Sequence, residues 1–173
     1  MMKQGYIQIY TGDGKGKTTA ALGLALRAAG HGLQTYIAQF MKGQSYGELR
    51  SIRLIPEIEI EQFGKDTFIH IDQASQEDIL MAKQGLEKSS QAMLSHKYNI
   101  IILDEINVAI HFKLLTISEV MDFILSKPEN IELILTGRRA PQELIDHADL
   151  VTEMRELKHY YQQGVSVRDG IER

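Results

Sequence analysis

Thr11-Gly12-Asp13-Gly14-Lys15-Gly16-Lys17-Thr18-Thr19 follows a short β-prone run carrying Ile7 and Ile9, and residues 20–29 then offer strong helix formers without a break. Strand, glycine loop and helix in that order make a phosphate site. The glycines let the backbone curl so that successive N–H groups point into one hollow, and the following helix adds its positive N-terminal end. In such a loop Lys17 reaches the outer phosphates and the Thr18 hydroxyl holds Mg²⁺. The match to G-x-x-x-x-G-K-[ST] departs at one place: Thr11 stands where the first glycine belongs, and Gly12 comes one residue late. The alternative is a glycine-rich surface turn that binds nothing. Context weighs against it, because a second motif of the right kind lies downstream.

That motif is residues 98–103, the most apolar run in the chain, ending in Asp104-Glu105. Such a run is expected to be a strand buried on both faces of a parallel sheet, delivering the acids to its carboxyl edge. Four apolar residues followed by an acid form the Walker B pattern, whose aspartate positions Mg²⁺ directly or through water. Seen alone, two acids ending a strand are also a plain cap for the next helix.

Between the motifs, Leu22, Ala25, Leu26 and Ala29 recur at helical spacing, and Gly30-His31-Gly32 supplies the stop. Arg27, on the same helix, reads by position as a solvated arginine. Residues 33–39 read as a short alternating strand that completes a βαβ unit, with the loop at 40–47 at the edge where open α/β sheets place ligands. A brief helix over 48–54 and a half-exposed strand carrying Ile58 and Ile60 follow. Residues 63–72 have no clear period. As a loop, they either tuck Phe63, Phe68 and Ile69 into the core or offer them to an apolar ligand. Ser75 with Asp78 resembles a capping box for a helix ending near His96, with Ile79, Ala82, Leu86, Met93 and Leu94 as its core stripe.

Thr116 and Glu119 mark another helix start, and residues 131–135 another buried strand, running into Thr136-Gly137-Arg138-Arg139-Ala140-Pro141. Arginines there share an edge with the phosphate loop, where a guanidinium pairs with phosphate oxygens in a fork. A short helix to His147 and a last strand over 149–154 complete the pattern. The polar tail, 155–173, is expected to act as a lid. The chain thus reads as one α/β domain over residues 1–173.

Composition narrows the function. With 173 residues, 43% hydrophobic and 24% charged, the chain suits one globular α/β domain. A net charge of −4, with no basic run longer than Arg138-Arg139, argues against nucleic acid or an acidic membrane surface as partner. The absence of cysteine removes disulfides, thiolate zinc sites and a cysteine nucleophile. The opening Met1-Met2-Lys3-Gln4-Gly5 has no secretory apolar core, so a cytoplasmic protein is expected. The six histidines show no metal-ligand spacing, and no G-x-S-x-G elbow occurs.

The residues resemble one family, the ATP:corrinoid adenosyltransferases, which make adenosylcobalamin from ATP and a reduced corrinoid. The matching stretches begin with Tyr10 to Ala20, then Gln39-Phe40-Met41-Lys42-Gly43 with Gly47-Glu48-Leu49, and Leu103-Asp104-Glu105-Ile106-Asn107. They continue with Thr136-Gly137-Arg138-Arg139-Ala140-Pro141, Ala148-Asp149-Leu150-Val151-Thr152-Glu153-Met154, Lys158-His159 and Gly170-Ile171-Glu172. The likeness implies a P-loop NTPase-like, RecA-like fold: a mostly parallel sheet between helices in three αβα layers. It implies a variant loop holding ATP reversed, which accounts for the shifted glycine. Carried over, Gly12, Asp13, Gly14, Lys15, Gly16, Lys17, Thr18 and Thr19 hold the triphosphate, Arg27 the nucleoside end, Glu105 the ribose or metal, and Arg138 a phosphate. Lys17, Glu105 and Arg138 are the catalytic candidates. Thr18, Asp104 and Glu105 are the candidates for Mg²⁺ (or Mn²⁺). A homodimer and an electron-donor flavoprotein are also implied.

The family presses apolar side chains against the lower corrin face, often from a G-F-T-W-like run. This chain has no tryptophan and reads Gly64-Lys65-Asp66-Thr67-Phe68-Ile69, which makes Thr67, Phe68 and Ile69 the corrinoid-binding candidates. The rival enzyme is a P-loop ATPase or phosphotransferase that cleaves the terminal phosphate. The rival outside catalysis is an ATP-driven switch, since a guanine-reading N-K-x-D is absent.

Overall fold

The computed structural model describes residues 3–66 and 74–172. Its strands are β1 (Ile7–Thr11), β2 (Thr35–Phe40), β3 (Ile58–Phe63), β4 (Ile100–Asp104), β5 (Glu132–Thr136) and β6 (Leu150–Glu153). The helices are α1 (Lys17–Ala29), α2 (Gly47–Ile52), α3 (Gln76–Leu94), α4 (Ile106–His111), α5 (Ile117–Leu125) and α6 (Gln142–His147). The strands form one sheet in the order β3-β2-β4-β5-β1-β6. Every pairing is parallel, as crossover helices require.

Successive residues of a strand point to opposite faces, and the core divides accordingly. Ile37, Ile100, Ile102 and Ile134 face one layer, packed with Ala21, Ala25 and Ala28 of α1 and Ile52 of α2. Ala38, Ile101, Leu103, Leu133 and Leu135 face the other, with Ala82 and Met93 of α3, Ile110 of α4, and Val120 and Phe123 of α5. This is the three-layer αβα architecture that the family resemblance implies. Among the described residues, no helix is long and apolar enough to cross a membrane.

Several local readings change. β2 is buried at all six positions instead of alternating, because β3 and β4 flank it and helices cover both its faces. α1 starts three residues early, at Lys17, and turns its small residues inward, leaving Leu26 58% exposed. α3 does the same with Ala82, Gly85, Ser89 and Ala92, while Leu94 is 51% exposed. A Cβ on Gly85 would stand 2.8 Å from the Phe63 ring and 2.9 Å from Phe40, so the glycine lets the helix close on both rings. Phe63 is thus the buried last residue of β3, not part of the loop. The capping boxes at Ser75 and Thr116 form as read. α4 starts directly after Glu105, where only the capping alternative for the two acids places a helix.

Candidate functional site

The carboxyl ends of β1, β4 and β5 meet at one edge, where β5 lies between the strand that enters the glycine loop and the strand that carries the acids. Gly12 turns the chain out of β1 at φ 93°, and a Cβ there would fall 2.4 Å from the Met154 carbonyl oxygen. Only glycine meets both demands. Gly16, at φ 116°, leads into α1, whose first residue is Lys17. The Lys17 ammonium is buried and donates to the Gly14 carbonyl at 2.7 Å. Gly14 gives its own N–H to the Met154 carbonyl at 2.7 Å, so that amide serves the fold.

Asp104 is the centre of the arrangement. It is 1% exposed, and four side chains, from α1, β2, the loop after β2 and β5, donate to it. Thr18 and Thr136 hydroxyls reach Oδ1 at 2.8 and 2.6 Å. The Lys42 ammonium reaches Oδ2 at 2.8 Å, and the Gln39 amide reaches it at 3.2 Å. Burial alone lowers the affinity of Lys42 for its proton, but the Asp104 charge overrides this and its pKa is raised. A buried carboxylate is stable only when charge and hydrogen bonds surround it in this way.

Glu105 occupies the elbow between β4 and α4 at φ 63°, a region uncommon for a side chain other than glycine. Its N–H donates to the Thr136 hydroxyl at 3.0 Å. Its carboxyl pKa is raised, first by burial and then by the neighbouring Asp104 charge, against the pull of Lys42, Lys17 and Arg138. Lys17 is lowered, chiefly by burial, with Glu105 opposing. One acid inclined to keep its proton beside one lysine inclined to lose it marks a functional centre more than a structural one.

Arg138 stands on the loop after β5 with its Nε 3.9 Å from Asp13 Oδ1, both side chains largely exposed. Arg139 turns away and meets His111 Nε2 at 2.9 Å. Asn107 is fully buried, and its amide donates to the Gly137 carbonyl at 3.2 Å, fastening the turn that carries Arg138. Arg27 is not gathered into this cluster: exposed on the last turn of α1, it lies about 15 Å of helix rise beyond Lys17. Thr19 lies exposed on the first turn. The corrinoid-binding candidates Thr67, Phe68 and Ile69 fall outside the described residues.

The sequence from residue 3 to residue 173 matches the family described as ATP:corrinoid adenosyltransferase BtuR/CobO/CobP. The chain belongs to that family. A corrinoid adenosyltransferase of Sinorhizobium is 34% identical across 98% of this chain and 81% of its own length. One of Pseudomonas aeruginosa is 32% identical across 98% and 84%, and one of Escherichia coli 29% across 98% and 86%.

The donors here would suit a divalent cation beside the phosphates of ATP. Thr18 Oγ1 and Asp104 Oδ1 already stand 2.8 Å apart, both hard oxygens. Mg²⁺ is held by one or two carboxylates, with phosphate oxygens and waters completing its shell. Among the described residues no group of three or more His, Cys, Asp or Glu stands together as a metal cage.

No local motif assigns a role to Thr136, Lys42 or Gln39. Only the order of the strands carries Thr136 to Asp104. Lys42 left a partial signal, since it sits on a loop at the ligand-bearing edge.

Proposed function

We propose that this chain transfers the 5′-deoxyadenosyl group of ATP to Co(I) of a reduced corrinoid, forming adenosylcobalamin or a related adenosylcorrinoid and releasing triphosphate. Family membership supports the reaction. The observation that carries the site is Asp104, bonded at once to Thr18 at the start of α1 and to Thr136 on the neighbouring strand.

In this reading the cobalt–C5′ bond forms as the C5′–O bond breaks. The electron pair of that bond leaves on the triphosphate, and cobalt passes from Co(I) to Co(III). Reduced cobalt is a strong nucleophile, so no general base is needed, and the protein supplies placement and electrostatics. The main chain of the loop over residues 12–18 cradles the triphosphate with C5′ turned outward. Lys17 and Arg138 take up the charge that grows on the leaving group. Thr18 and Asp104 would hold Mg²⁺, which neutralises phosphate charge when bound. Glu105, at its elbow, accepts from the ribose, and Thr67, Phe68 and Ile69 are the candidates for binding the corrin. The enzyme works as one cytoplasmic domain in a homodimer, with a flavoprotein supplying electrons.

The test is to mix cob(I)alamin, ATP and Mg²⁺ with the protein and follow the absorbance of the cobalt–carbon bond while assaying both phosphate products. Adenosylcobalamin with stoichiometric triphosphate is expected. Orthophosphate release without a cobalt–carbon bond would return the chain to the ATPase reading.

A further inference from the structure

Lys15, inside the phosphate loop, has its ammonium turned toward another part of the chain. It donates to Glu172 Oε1 at 3.0 Å, to the Tyr160 hydroxyl at 3.1 Å and to the Ile171 carbonyl at 3.0 Å. An ammonium has three donors, and three acceptors use them all. Glu172 is gripped from its other side as well. The Arg168 main-chain N–H reaches Oε2 at 2.8 Å, its guanidinium reaches Oε2 at 3.3 Å and Oε1 at 3.0 Å, and the Tyr160 hydroxyl donates to Oε1. Arg168, Tyr160 and Lys15 together hold the Glu172 carboxyl far below the usual range. Its side chain is only 16% exposed, against 40% for Lys15.

The chain reaches this clasp by running along the glycine loop. Met154 accepts from Gly14, and a Cβ on Gly14 would meet Met154 and Arg155 backbone within 2.9 Å. A 3-10 turn, Tyr160–Gln163, then aims the Tyr160 ring at Lys15, whose ammonium is 5.9 Å from the ring centroid, and at Arg168, 4.8 Å away.

We propose that Lys15 is a staple rather than a phosphate ligand: it fastens residues 156–172 against the loop through Glu172, which is thereby a positioning residue for ATP. The proposal rests on the ATP reading of the loop. With every donor of Lys15 spent on the tail, its side chain strengthens nucleotide binding only by restraining the loop before nucleotide arrives.

The experiment is a double-mutant cycle on the full chain with Lys15→Met, Glu172→Gln and the pair, read by calorimetric titration of Mg·ATP and by amide hydrogen exchange. Each single change is expected to weaken ATP about threefold to fivefold, as loss of a partly exposed ion pair does. The pair should weaken it no further than the worse single, and exchange should rise within 156–172 while the sheet keeps its protection. Tyr160→Phe, which removes only the shared hydroxyl, should shift both readouts the same way with the core intact. Losses that multiply in the double variant would show Lys15 acting on phosphate directly and overturn the proposal, as would unchanged exchange in 156–172. Failure of the transferase reading shows separately, as absence of cobalt–carbon bond formation by the unsubstituted chain.

Discussion

The Thr136 hydroxyl donates to Asp104 Oδ1 at 2.6 Å while accepting the Glu105 N–H, so one side chain of β5 ties down both the last residue of β4 and the elbow residue after it. Thr136→Val keeps the shape and removes both bonds. The Glu105 N–H then loses its acceptor, and Asp104 keeps three donors. A loss of about 1–3 kcal/mol in unfolding free energy is expected, with a fall in turnover larger than the stability loss explains. Denaturant unfolding beside cob(I)alamin turnover checks it.

Lys17→Ala should abolish turnover, with kcat lower by about 10²–10³ or more, because the leaving triphosphate loses its buried cation. Circular dichroism should show the fold retained, since among the described residues the Lys17 ammonium bonds only a carbonyl of its own loop. Near-normal activity would remove the loop from the chemistry.

Glu105 predicts a pH effect. Its raised pKa means that the folded chain keeps this proton to higher pH than the unfolded chain does. Stability attributable to this group therefore falls as pH climbs through the ordinary carboxylate range, and stays lower once the folded group has ionised as well. Glu105→Gln removes that loss. The variant should be more stable than the parent near neutral pH by about 0.5–2 kcal/mol, the usual relief when a site is freed from its function. The advantage should shrink toward acid pH in thermal unfolding, and adenosyl transfer should fall.

Two glycines give opposite predictions. Gly12→Ala pushes a Cβ against the Met154 carbonyl at a positive φ, costing about 1–3 kcal/mol and most ATP binding. Gly23→Ala, within α1 with nothing within 4 Å, should add about 0.5–1 kcal/mol of stability and leave ATP affinity unchanged. Thermal unfolding and nucleotide titration of both variants separate the two.

The sequence carried the fold wherever a pattern is local. The glycine loop between strand and helix, the apolar run before Asp104, and the capping boxes at Ser75 and Thr116 all depend on residues within one turn or one strand of each other. Local patterns misled where burial was decided by neighbours. The small faces of α1 and α3, which place Ala25 and Gly85 against the sheet and turn Leu26 and Leu94 outward, maximise close approach, not hydrophobicity. α4 is only weakly marked in the sequence because Glu105 starts it from a left-handed elbow with no capping side chain, so it lacks the usual start signal.

From the sequence alone came the glycine loop with its shifted glycine, the acid that ends β4 with a second acid after it, and the family. Tertiary structure alone set β5 between those two motifs, brought Thr136 and Lys42 onto Asp104, left Arg27 on the far turn of its helix, and closed Glu172 over Lys15. The reason is one of range. Backbone conformation follows from residues a few places apart, whereas the partners of a buried charge come from strands and loops whose adjacency depends on how the whole sheet is ordered.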